Sequence, residues 1–203
     1  MPSDRGGAVA GVVLAAGSSS RLGQNKLLLP IGGTTVLRRS VITAIEAGLD
    51  PVLVVLGHEI DRALAELSGL RCTPVSNPDY AAGINTSLRA GLRAMPGQSA
   101  AAVVMLADMP FVTAGMVGAL VDRFREGAAQ LVLSIYDGIT APPTLYARSL
   151  FPELGDALGE GCGKRVVKRH RSEAVELAWP AAALADIDVP GDVNRVRDLL
   201  GGP

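Results

Sequence analysis

Residues 12–33 read VVLAAGSSSRLGQNKLLLPIGG. An apolar run passes into small residues, Ala15 to Ser20, and two cations, Arg21 and Lys26, stand beyond it. A short, unbroken run of Val and Leu without helical spacing predicts a strand buried on both faces. A strand whose carboxyl end runs into Gly and Ser is where open α/β sheets bind ligands. Gly17 lets the backbone come close to a ligand. Ser18, Ser19 and Ser20 add hydroxyls and N–H groups, and concave runs of N–H groups favour anions. Arg21 can fork onto phosphate oxygens, and Lys26 can add a point charge. The residues alone leave two readings of this loop, a phosphate cradle and a solvated glycine–serine turn.

Outward from this stretch the chain alternates. Strands are predicted at Ala8–Ala15, Pro51–Leu56, Arg71–Val75 and Ala100–Ala107, the most apolar of them. Between and after them, helices are predicted at Thr34–Ala47 (closed by Gly48), Glu59–Leu67 (closed by Gly69), Asn85–Met95 and Thr113–Arg125, with Thr113 as N-cap. This is a series of βαβ units with right-handed crossovers. Past Gly127 the rhythm loosens. Strands are expected at Leu131–Ile135 and Thr144–Tyr146, with Pro142-Pro143 between them. A helix over Arg148–Leu158, broken by Pro152, precedes a Gly-rich turn and basic helix from Gly159 to Arg171. Short strands at Val175–Leu177 and Leu184–Ile187 and a last helix at Asp192–Leu200 complete the expectation.

The 203 residues suit one domain. The chain is 48% hydrophobic but only 3% aromatic, so its core is built from Ala, Val and Leu. A net charge of −1, with no basic face or aromatic platform, points away from nucleic acid. Two isolated cysteines, Cys72 and Cys162, and two histidines, His58 and His170, argue against a structural zinc site and fit a reducing cytoplasm. The run after Arg5 imitates a leader, but it is brief and reads well as the first strand. No segment approaches the roughly 20 apolar residues that span a membrane.

Two phosphate motifs are excluded. The dinucleotide fingerprint G-x-G-x-x-G is absent, because Ser18 and Ser19 follow Gly17. Gly159-Glu-Gly-Cys-Gly-Lys-Arg165 is one residue short of a P-loop and has Arg165 where Ser or Thr is required.

Leu14-Ala-Ala-Gly-Ser-Ser-Ser-Arg-Leu-Gly-Gln-Asn-Lys26 resembles the L-A-[AG]-G-x-(S)-x-R-[ML]-G-x-x-K signature of the MobA-like nucleotidyltransferases. That family includes the molybdenum cofactor guanylyl- and cytidylyltransferases. The resemblance continues at Pro30-Ile-Gly-Gly33, Asn77-Pro78, Gly83-Ile-Asn-Thr-Ser-Leu88, Leu106-Ala-Asp-Met-Pro110 and Asp186-Ile-Asp-Val-Pro190. It implies a three-layer, Rossmann-like α/β fold with a mostly parallel sheet and helices on both faces. The NTP-binding part would cover about 8–125, and the acceptor-binding part about 128–203, of a single domain. The implied reaction is attack by an acceptor phosphate on the α-phosphorus of a nucleoside triphosphate, with Mg²⁺ and loss of pyrophosphate.

On that resemblance, Leu14, Ala15, Ala16, Gly17, Ser18 and Ser19 would cradle the nucleotide. Arg21 and Lys26 would neutralise its phosphates, and Asn77, Gly83 and Ser87 would add contacts. Asp108, just past a buried strand, would hold Mg²⁺; the competing role is a turn or helix cap. Asp188 would be a second carboxylate at the metal, or a helix-start residue. Glu160, Lys164 and Arg165 would hold the phosphate of the acceptor. Ala at position 16, where guanylyl-transferring relatives carry Gly, implies CTP as the donor and a molybdopterin form of the molybdenum cofactor as the acceptor. The alternatives are guanylyl or other NTP transfer, an NAD(P)H-dependent oxidoreductase using Glu59 for a ribose hydroxyl, and a non-catalytic accessory protein for a molybdenum hydroxylase. Cys72, Cys162 and His58 are assigned no reaction.

Overall fold

The computed structural model describes residues 6–18, 23–127, 129–156 and 163–185. Ser19, Arg21, Glu160, Cys162, Ile187, Asp188 and the expected helix at Asp192–Leu200 lie outside them.

β1 (Val9–Ala15) is buried at every residue. It alternates as a strand must: Val9, Val13 and Ala15 enter one apolar core, Val12 and Leu14 the other. A hairpin of β2 (Pro30–Ile31) and β3 (Thr34–Thr35) leads into α1 (Val36–Glu46). Then come β4 (Val52–Leu56), α2 (Ile60–Glu66), β5 (Thr73–Ser76), α3 (Ile84–Ala94), β6 (Ala101–Leu106) and α4 (Ala114–Glu126). β7 (Leu131–Tyr136) and β8 (Ile139–Ala147) form a second hairpin, followed by α5 (Phe151–Gly155), α6 (Lys164–His170) and β9 (Val175–Trp179).

Seven strands form one sheet in the order β5-β4-β1-β6-β8-β7-β9. β5, β4, β1 and β6 run parallel, β8 is antiparallel to both neighbours, and β9 is parallel to β7. Residues of α1, α2 and α4 fill the core on one face, and residues of α3, α5 and α6 fill it on the other. This is the expected three-layer arrangement. The chain leaves β1 toward β4 on one face and returns from β5 to β6 on the opposite face, so the crevice at the carboxyl ends of β1 and β6 is a topological switch point. α3 lies close on the sheet because residue 91 is Gly. A Cβ there would stand 2.5 Å from Val12 Cγ1 and 3.2 Å from Val55 Cγ2.

The departures from expectation have local causes. The first helix begins at Val36, because Gly32 and Gly33, with φ of 52° and 78°, form a tight turn that pairs Thr34–Thr35 with Pro30–Ile31. Thr35 then caps the helix, its Oγ1 accepting from Arg38 N at 3.3 Å. Thr113 caps α4 as expected, accepting from Met116 N at 3.2 Å.

Pro142-Pro143 lies inside β8, not between strands. The β7–β8 register shifts between Val132 and Ser134, so the two prolines meet no ladder acceptor. Ser134 Oγ donates to Pro143 O at 2.7 Å, and Tyr136 Oη donates to Pro142 O at 2.9 Å. Pro152 does not break a helix; it lies in the first turn of α5, after a 3₁₀ turn at Arg148–Leu150. Leu184 ends a 3₁₀ turn, Ala181–Leu184, where a strand was expected. Among the described residues, no helix is long and apolar enough to cross a membrane.

Candidate active site

Where β1 and β6 end side by side, Ala107 N donates to Leu14 O at 3.1 Å. A cavity of about 180 Å³ opens there, lined by Leu14, Ala15, Ala16, Gly17, Lys26, Leu27, Tyr80, Ile84, Ser87, Leu106 and Asp108. A Cβ added to Gly17 would meet nothing within 4 Å among the described residues.

Lys26 opens a one-turn 3₁₀ segment, Lys26–Leu28, capped by buried Asn25, whose Oδ1 accepts from Leu27 N at 3.1 Å. Buried Leu27 anchors the turn, and Lys26 Nζ reaches to 2.6 Å from Asp108 Oδ2. The two side chains are 14% and 22% exposed, shielded but open to a ligand.

The loop carrying Asp108 is held from α1, by residues the sequence did not single out. Arg39 Nε donates to Pro110 O at 3.0 Å, and buried Ser40 donates through Oγ to Ala107 O at 2.8 Å. No one-dimensional signal marks either residue; they bracket Asp108 only because α1 packs beside β6.

Asn77 does not line the cavity. It is buried and braces a residue that does: its Nδ2 donates to Ser87 Oγ and Thr86 Oγ1, each at 2.9 Å, while its Oδ1 accepts from Asp79 N at 3.1 Å. Gly83, with φ of 109°, turns the chain into α3 so that Ile84 reaches the cavity. Tyr80, also unmarked in the sequence, is packed onto Gly57, where a Cβ would stand 2.6 Å from Tyr80 Cβ and Cγ. The His58 ring lies 6.1 Å from the Tyr80 ring, centroid to centroid.

Ser18 lines a neighbouring polar cavity of about 400 Å³ with Gly23, Gln24, Asn25, His58, Glu59 and Arg62. Here the hydrogen bond from Arg62 holds the Glu59 carboxyl below its usual range.

On the other side, across Ile84 and Leu106, lies a larger cleft of about 530 Å³. Val104, Thr140, Ala141, Pro142, Thr144 and Tyr146 line it, together with Lys164, Val167, Lys168 and Arg171 from α6 and the turn after it. Gly163, with φ of 69°, brings the start of α6 against Tyr146; a Cβ there would overlap the phenol oxygen. Lys164 therefore faces the cleft. Arg165 lines a separate cavity with Pro152, Glu153, Asp156, Val166 and Arg169.

Among the described residues on the wall of the first cavity, Asp108 is the one carboxylate. Among the described residues, no group of three or more His, Cys, Asp or Glu could hold a metal ion. One hard carboxylate beside open space does not make a protein-built cage, but it fits Mg²⁺, which takes one or two carboxylates and completes its shell with phosphates and water.

Residues 11–175 match the family model of the MobA-like NTP transferase domain. The chain is 32% identical to the purine catabolism protein PucB of Bacillus subtilis (strain 168), over 94% of this chain and 96% of PucB. It is 28% identical to the molybdenum cofactor cytidylyltransferase of Escherichia coli (strain K12), over 92% and 94% of the two chains. The crystal structure of Rv0371c from Mycobacterium tuberculosis H37Rv superposes with a TM-score of 0.84 at 30% identity, covering 95% of this chain and 98% of Rv0371c. A structure of Rv0371c in complex with manganese superposes at 0.78, with 28% identity and coverage of 94% and 98%.

Proposed function

This chain belongs to the MobA-like NTP transferase family, and on that premise we propose that it transfers CMP from CTP to the phosphate of a molybdopterin-type acceptor. The observation that carries the proposal is the Lys26–Asp108 pair at the switch point, 2.6 Å apart, on the wall of a cavity edged by Ala15–Gly17 that shares Ile84 and Leu106 with a cleft carrying cations. In the free protein each of the two charges neutralises the other. When a triphosphate enters, Lys26 turns its charge toward the phosphates, and the Asp108 carboxylate becomes available to Mg²⁺. Arg21, Ser18 and Ser19 complete the phosphate cradle. Mg²⁺, when bound, supplies positive charge to the α-phosphate and the departing pyrophosphate.

The acceptor phosphate enters from the α6 cleft, where Lys164 is proposed to hold it; Arg165, on the wall of a separate cavity, is not given that role. An acceptor oxygen forms the new bond to the α-phosphorus, and the bond from that phosphorus to the bridging oxygen breaks, so pyrophosphate leaves with the electron pair. The protein's contribution is positioning and charge neutralisation rather than covalent catalysis. Asp188 is proposed as a second carboxylate at the metal. Support for CTP comes from Ala16 on the cavity wall and from the relative named as a cytidylyltransferase.

The test offers labelled CTP or GTP, with Mg²⁺ and purified molybdopterin cofactor, to the protein and analyses the products by mass spectrometry. The expected product is the cytosine dinucleotide, formed at least about tenfold faster than the guanine one. Preference for GTP would overturn the choice of base, and lack of binding of either nucleotide would overturn the transfer itself.

A further inference from the structure

The corner between β4 and α2 reaches the loop that follows β1 at two points. His58 N donates to Ala16 O at 3.2 Å, on the wall of the first cavity. The Glu59 carboxylate accepts from Arg62 Nη1 and from the Asn25 side chain. One corner thus holds residue 16, where β1 has just ended, and residue 25, immediately before Lys26.

Glu59 stands in the left-handed region, with φ of 50° and ψ of 43°. A residue with a long side chain adopts that backbone only where its surroundings hold it there. Starting a helix does not account for it: Glu59 precedes α2 but makes no side-chain cap hydrogen bond to it. Its carboxylate turns to Arg62 and back to Asn25 instead.

Asn25 uses both ends of its amide. It is buried, its Oδ1 accepts from Leu27 N at 3.1 Å, and its Nδ2 donates to Glu59. An amide turned over by 180° would present Nδ2 to the Leu27 N–H, which needs an acceptor. An ionised carboxylate accepts and never donates, so Glu59 permits one orientation of the amide. That orientation caps the 3₁₀ turn Lys26–Leu28, and from this turn Lys26 Nζ reaches to 2.6 Å from Asp108 Oδ2.

We infer that Glu59 is a positioning residue for Lys26: it fixes the amide of Asn25, and Asn25 fixes the turn that aims the Lys26 ammonium at Asp108. The inference rests on the transfer reading only for the purpose that Lys26 serves.

The chain has three lysines, Lys26, Lys164 and Lys168, so amine labelling reads the first against two internal controls. Succinimidyl acetate is the reagent, peptide mass spectrometry gives the rate at each lysine of the full chain, and calorimetry measures CTP binding separately. An ammonium paired with a carboxylate gives up its proton reluctantly and labels slowly. Glu59→Gly removes the carboxylate in favour of a residue that accepts the left-handed backbone. It should raise the rate at Lys26 at least about threefold and leave Lys164 and Lys168 unchanged. Asn25→Asp keeps an acceptor for Leu27 N but sets two carboxylates face to face, and should have the same effect. Adding Glu59→Gln to Asn25→Asp exchanges donor and acceptor, and should return Lys26 to within about twofold of its original rate.

An unchanged rate at Lys26 in the two single variants would overturn the inference. So would an equal rise at all three lysines, which marks general loosening, or a double variant that recovers nothing, which would mean that Glu59 and Asn25 act independently. The expected pattern in a protein that ignores CTP would sustain the positioning and defeat the nucleotide reading. CTP binding without any response at Lys26 would do the reverse, so the two fail separately.

Discussion

Ser40, in the middle of α1, donates its hydroxyl to the carbonyl of Ala107 across 2.8 Å, in a buried setting. One helix thus fixes the peptide that immediately precedes Asp108. Ser40→Ala should leave that carbonyl without its partner and lower stability by about 1–2 kcal/mol, read as a fall in melting temperature. Transfer should slow through kcat more than through KM, because Asp108 would be misplaced rather than lost. An unchanged kcat would mean that the loop holds its shape without α1.

Lys26 and Asp108 should prove unequal in binding and equal in turnover. Either Lys26→Ala or Asp108→Asn should lower the rate of pyrophosphate release by about 10²–10³, the size expected when one preorganised charge is removed from a transfer site. Lys26→Ala should also weaken CTP in the absence of metal, whereas Asp108→Asn should mainly abolish the response to added Mg²⁺. Both partners keep some contact with water, so neither change should move stability by more than about 1 kcal/mol. Calorimetric titration with and without Mg²⁺ separates the two.

Gly57→Ala pushes a methyl group into the ring carbons of Tyr80. The ring must move, and it forms part of the first cavity. The expected result is a stability loss of about 1–3 kcal/mol together with weaker CTP binding. Tyr80→Ala in the Gly57→Ala background should recover stability but not affinity, as thermal melts and nucleotide titration would show.

On the far side of α6, Glu153 meets Arg169 at 2.9 Å and His170 at 3.1 Å. The hydrogen bond with His170 chiefly, with help from the Arg169 charge, holds the Glu153 carboxyl below its ordinary value of 4.5. In that window the unfolded chain binds more protons than the folded one, so stability rises with pH. The contribution is complete above the ordinary value and disappears as the pH drops through the lowered one. Glu153→Gln should therefore lower the melting temperature near neutral pH and converge on the unmodified protein in strong acid. Parallel melting curves at every pH would show that the cluster adds nothing.

β1, β4 and β6 were legible because they are short, buried apolar runs, and because a period of two and a period of 3.6 do not resemble each other there. The first cavity was legible for a related reason. Ala15–Gly17 and Asp108 lie at or just past strand ends, and strand ends converge in such a sheet, while Lys26 reaches them from a one-turn 3₁₀ segment. The second half was harder to read. Pro142-Pro143 reads as an interruption, yet the shift between Val132 and Ser134 lets β8 run straight through it. In the basic segment, residue type could not separate Lys164 from Arg165. Only the phase of α6, set once Gly163 is known to begin it, turns Lys164, Lys168 and Arg171 to the cleft and Arg165 and Arg169 to another surface. Ser40, Arg39 and Tyr80 gave no signal at all, since their importance lies in what the folded chain places opposite them.

The reversed strand β8 has a consequence for how such a protein diversifies. Val104 pairs with Thr144, so the beginning of β8 arrives at the same rim where β1 and β6 finish. The first cavity is edged by the parallel strands, and the cleft beside it by one hairpin and one seven-residue helix. Insertions at the Asp137-Gly138 bend, or a rotation of that helix by one residue, would reshape the cleft while the Lys26–Asp108 pair and the first cavity stay as they are.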